Sequence, residues 1–116
     1  MSDIQTKFFV FLDERKEEVL AEVNSLASDG RMDESNILKA KLNIYDISRA
    51  VFGVAAKATS DDKIKEAFLT KFGNITGQWE ATLEKAKAHD DSRQVLIEEA
   101  KLSAVSEIRD KINELF

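Results

Sequence analysis

His89 is the one imidazole in the chain, and Asp90 and Asp91 follow it directly. A histidine beside carboxylates is a donor set for a metal ion, so chemistry is sought here first. A carboxylate-bridged di-metal centre inside a helical bundle needs inward-facing glutamates and a Glu-x-x-His pair on each of two helices. The residue three before His89 is Ala86, and there is no second histidine. That excludes a di-metal centre, and polar side chains crowded between two helices read first as caps for the next helix. No metal and no other cofactor is expected. Nucleophilic catalysis needs a serine or threonine beside a base, and one histidine in an acidic turn assembles no triad. Cysteine is absent, which removes thiolate zinc sites, iron–sulfur ligation, cysteine nucleophiles and disulfides together. The adjacent pairs Glu17/Glu18 and Glu98/Glu99 point about 100° apart on a helix and cannot face each other as acid and base. They read as ordinary exposed positions, and the chain as no enzyme.

Two further chemistries can be weighed on the same residues. Histidine phosphotransfer domains share the size and a four-helix outline, with an exposed phosphoaccepting histidine in mid-helix followed by a lysine and a glycine. Here His89 stands at an expected helix end, two carboxylates follow it where a cation should attract the phosphoryl group, and the lysine–glycine pair is missing. Phosphotransfer is the weaker alternative. Gly73 and Gly77 form no phosphate loop either, since no strand precedes them and no glycine-lysine-serine follows.

One polar set is less ordinary. Lys101 lies near the middle of an apolar helix face, Lys41 between two apolar rows, and Glu22 near the apolar side of its helix. Counted along antiparallel helices, Glu22 and Lys41 reach similar depth, with Lys101 about two residues further inward. The three are candidates for a polar layer that fixes register, or for a small anion-binding pocket.

Four helical segments must position these residues. Apolar residues recur at three- and four-residue steps nearly throughout, and no stretch alternates as a strand would. The first segment opens at Ser2, where Ser2 and Gln5 match a capping box, and runs through Ile4, Phe8, Leu12, Val19, Val23 and Leu26 to Asp29-Gly30. The second begins near Asp33 to Ser35, any of which could cap it, and continues to about Ala58. "TSDD" at 59–62 reads as a turn whose Thr or Ser caps a third helix, which holds Ile64, Phe68, Phe72, Ile75, Trp79, Leu83 and Ala86 in one phase. "HDDS" at 89–92 restarts the pattern, and the last helix runs from about Arg93 to Leu115. The simplest arrangement is all-α, an antiparallel up-down four-helix bundle in a single domain over residues 1–116.

The surplus of this pattern is where function is sought. Gly73 and Gly77 fall nearly opposite the core stripe of the third helix, and with Ala81 they make a strip of small residues that could admit another helix, or else mark a kink. The second helix carries a heptad seam, Ile37, Ala40, Ile44, Ile47, Val51, Val54 and Ala58. Beside it runs a second row, Leu38, Leu42, Tyr45, Phe52 and Ala56, so that this helix is either central in the fold or turned to another chain. The interaction surface expected on this basis is Leu38, Leu42, Tyr45, Phe52, Gly73, Gly77 and Ala81.

Charge and composition narrow the partner. A net charge of −5 argues against nucleic acid, which needs a concentrated basic surface. The apolar run in "KFFVFLDERK" is too short for a membrane span or a signal core, and its mixed polar face does not suit a membrane anchor. The chain therefore reads as an acidic cytoplasmic bundle, non-catalytic, acting by protein–protein interaction with itself, as a homodimer, or with another protein. The alternative is a small anionic-ligand-binding module at Lys41 and Lys101.

Overall fold

In the computed structural model, which describes residues 3–116, the helices are α1 (Asp3–Ser28), α2 (Met32–Ala58), α3 (Ile64–Ala88) and α4 (Ser92–Leu115). A single 3-10 turn, Asp61–Lys63, leads into α3, and there is no strand among the described residues. The expected Ser2 cap lies outside them. The chain is an all-α bundle whose successive helices run antiparallel, and its extents are 45 × 33 × 20 Å. α2 packs against all three other helices, α3 and α4 pack on each other, and α1 leans mainly on α2 with a lighter contact to α4. The broad apolar arc of α2 follows from that position.

The turns explain where each helix stops. Gly30 takes φ +78°, the Gly30 N–H donates to Ala27 and the Arg31 N–H to Leu26, which is the paired closure of a left-handed helix end. α3 ends the same way without glycine: Asp90 takes φ 54°, the Asp90 N–H donates to Lys87 and the Asp91 N–H to Ala86. The Asp91 carboxylate then caps α4, accepting from the Gln94 N–H at 3.1 Å. Two expected caps are otherwise employed. Ser35 is buried and donates to the Val23 carbonyl of α1 at 2.9 Å, while Thr59 closes α2 by donating back to Ala55 at 2.7 Å.

The core is aromatic at one end. Phe8, Phe52, Phe68 and Phe72, from three helices, are fully buried, with successive ring centroids 5.0, 5.7 and 5.1 Å apart. Fully burying such a side chain stabilises by roughly 1.5–3 kcal/mol, with about 0.5–1.5 kcal/mol more for favourable ring pairs. Val19, Val23, Ile44 and Val105 continue the core as aliphatic packing. No helix of the described residues is long and apolar enough to cross a membrane.

Two corrections to the sequence reading concern packing. Tyr45 and Phe52 are fully buried inside one chain, because Tyr45 meets Glu107 of α4 and Phe52 packs against rings of α1 and α3, so neither can serve an exposed contact surface. The core stripe of α3 passes through buried Thr76 rather than Ile75, which is 37% exposed. The Thr76 hydroxyl, accepting from Arg109 at 3.4 Å, meets its polar requirement at that buried place.

Candidate functional site

Polar side chains gather in two places. In the first, Glu107 of α4 receives donors from two other helices: Arg15 Nε of α1 at 2.8 Å and the Tyr45 hydroxyl of α2 at 2.9 Å on Oε1, and Lys41 Nζ of α2 at 2.7 Å on Oε2. Arg15 also reaches Glu18 at 2.6 Å. Burial pushes the Glu107 carboxyl up, but the hydrogen bonds from Lys41, Arg15 and Tyr45 outweigh it and hold the group below its ordinary value. Burial pushes the Tyr45 phenol well above its ordinary value, and the bond to Glu107 adds to the rise. The bond to Glu107 likewise strengthens the hold of Arg15 on its proton, against the opposing effect of burial. A carboxylate held low is a poor base near neutral pH and a phenol held high is a poor acid, so the cluster suits cross-linking better than proton transfer.

The polar layer expected from Glu22, Lys41 and Lys101 is therefore built differently. Glu22 is exposed, and Glu107 is the acid that Lys41 meets. Lys41, with its side chain only 12% exposed, is committed to that acid. Lys101 belongs to a second cluster, where its ammonium stands 4.4 Å from the centre of the Trp79 ring and 3.3 Å from both carboxylate oxygens of Glu98. Each lysine thus serves its own carboxylate.

Glu98 is the residue that sequence reasoning missed. It is 2% exposed, accepts from Gln94 Nε2 at 2.8 Å on Oε1, and keeps Oε2 buried with no hydrogen-bond partner, at ion-pair distance from Lys101 but without bonding geometry. The signal was its phase, since Glu98 lies seven residues before buried Val105.

An apolar groove lies open between α2 and α3, lined by Ala50, Val51, Val54, Lys71, Asn74 and Ile75, while Val10, Leu20, Met32, Leu96 and Phe116 are exposed elsewhere. Val54 is 55% exposed and Ile75 37%. Leu38 and Leu42 are half-buried against the core. Leu42 also borders a more polar groove between α1 and α2, with Asp13, Glu17 and the exposed Leu20. Gly73 and Gly77 lie within the unbroken α3, and a Cβ added at either would meet nothing within 4 Å. Gly77 and Ala81 face outward and Gly73 is half-buried, so the small-residue strip borders solvent rather than another helix of the chain. His89 is exposed at the end of α3, and among the described residues no three His, Cys, Asp or Glu side chains stand together as a metal would need. Comparison with known proteins adds no family to this geometry: no family model, no curated protein and no solved structure matches the chain.

Proposed function

We propose that this chain is a non-catalytic, cytoplasmic interaction or regulatory module that works by lending a helix face to another protein or to a second copy of itself. The observation that carries the reading is the apolar groove between α2 and α3, where Val54 and Ile75 stay open although Tyr45, Phe52, Phe68 and Phe72 are buried. Val54 and Ile75 stand side by side in one groove, and adjoining exposed apolar side chains mark contact surfaces more than single ones do. The polar clusters support the same view from the other side. Glu107 and Glu98 hold their cations within the fold, and Lys41 and Lys101 do not converge on a shared anion site.

The test is the mass of the native complex. Wild-type chain and the Val54→Asp, Ile75→Asp double variant are purified gently from the native source and compared by sedimentation, with the pure wild-type chain also run over a wide concentration range. The wild type is expected to travel as a dimer or in a stoichiometric complex that the variant does not form. A wild-type chain that is monomeric at every concentration and carries no stoichiometric partner overturns the reading.

A further inference from the structure

Exposed lysines stand along the rims of the α2/α3 groove. Ala50 lines the groove on α2; Lys39 falls three turns before it and Lys57 two turns after it, on the same helix face. On α3, Lys71 lines the groove itself, and Lys85 falls three turns after the lining residue Asn74. All four lysines are exposed, and none forms an ion pair among the described residues. Within α2, the acid nearest the rim, Asp46, is turned to α1, where Lys16 donates to it at 2.6 Å, and Asp61 and Asp62 follow in the turn beyond Lys57. The acids of α3, at 66, 80 and 84, fall on its other side. A chain of net charge −5 thus carries an apolar groove edged by four unanswered cations.

Each helix carries one pair of lysines: Lys39 and Lys57 on α2, about 27 Å apart at helical rise, and Lys71 and Lys85 on α3, about 21 Å apart, which is four to five turns of helix. Because α2 and α3 run antiparallel, Lys39 and Lys85 stand toward the same end, while Lys57 lies nearer the connecting turn than Lys71 does. Along α2 the apolar stripe continues from Val54 through the half-buried Ile47 and Ala40. A groove between two antiparallel helices, with an apolar floor and charged rims, is the shape that receives an amphipathic helix. A second copy of the chain fits less well, since a two-fold contact would set this face against itself and bring lysines to lysines.

We propose that the groove between α2 and α3 takes an acidic amphipathic helix of four to five turns from a partner protein. Its apolar edge lies on Val54 and Ile75, and its carboxylates meet Lys39, Lys57, Lys71 and Lys85. This rests on the interaction reading above and assigns the partner's chemistry.

The test uses two synthetic helical peptides of about 18 residues, the length that spans the lysine pairs. Both carry the same leucine stripe, one flanked by glutamates and the other by lysines. Binding is measured by fluorescence anisotropy and mapped by amide chemical shifts on the full chain. The acidic peptide is expected to bind, with shifts concentrated at Ala50, Val54 and Ile75 and with affinity that falls as salt rises. The basic peptide should bind at least about tenfold more weakly. In the Lys57→Glu, Lys71→Glu double variant, with an unchanged thermal melt as the folding control, the preference should reverse. Equal affinity for the two peptides, shifts away from the groove, or an unchanged preference in the variant overturns the proposal. If neither peptide binds while the chain forms a dimer that Val54→Asp breaks, the acidic helix is wrong and the interaction reading stands. If neither peptide binds and the chain is strictly monomeric without a partner, both fall.

Discussion

Three donors from two other helices converge on Glu107, and each bond is stronger when the carboxylate is charged, so folding and ionisation of this group are linked. Its folded-state pKa lies below the ordinary 4.5, so in the acid range the unfolded chain binds the proton more readily. The stabilisation is therefore present above the ordinary carboxylate value and is lost as pH falls through the lower folded value. Replacing Glu107 by Gln should flatten the acid limb of stability against pH. At neutral pH it should cost about 2–4 kcal/mol, because Lys41 and Arg15 lose their counter-charge at a partly dry site. Urea unfolding over a pH series reads both effects, and an acid limb as steep as the wild type's would remove Glu107 as its source. Tyr45→Phe removes a single donor to the same charged carboxylate and should cost about 1.5–3 kcal/mol by the same measurement. Glu98 is the opposite case: its few partners and unbonded buried oxygen make an apolar replacement of the whole pair, Glu98→Met with Lys101→Met, neutral or stabilising in a thermal melt.

Among the helices, α3 carries the most removable cost. Gly77 sits in the helix interior with open space where a Cβ would stand, so Gly77→Ala should raise stability by about 1 kcal/mol in the isolated chain. A loss on chemical denaturation would mean that the backbone there is not ordinary helix. The helix boundaries were legible in the sequence to within a few residues, because Gly30 and the "HDDS" run mark places where the chain must leave helical dihedrals. Which face turned inward was less legible. Ile75 and Thr76 are one step apart, and ranking them by hydrophobicity chose the isoleucine, whereas a threonine whose hydroxyl meets Arg109 fits the interior. Glu98 escaped for a related reason: a carboxylate on an apolar stripe was read as solvated, and Gln94 and Lys101 travel inward with it.

At the scale of the whole molecule, the flattened 45 × 33 × 20 Å shape and the position of α2 belong together. The sequence showed that α2 has apolar residues to spare, but periodicity measures the width of an arc and not the number of neighbours that fill it. Three neighbouring helices absorb Tyr45 and Phe52, and what remains open is Val54 on the side toward α3. The aromatic end binds three helices into one cooperative unit, so Phe68→Ala should cost about 3–5 kcal/mol and should lower a single transition rather than split it. Two separated transitions in calorimetry would show that the ends of the molecule melt independently. Trp79 offers a way to watch one seam alone. As the chain's sole indole, held partly out of water beneath the Lys101 ammonium, it is an intrinsic fluorophore stationed between α3 and α4. Its emission should shift to the red when those two helices part, giving an optical signal for that step without a dye or a label.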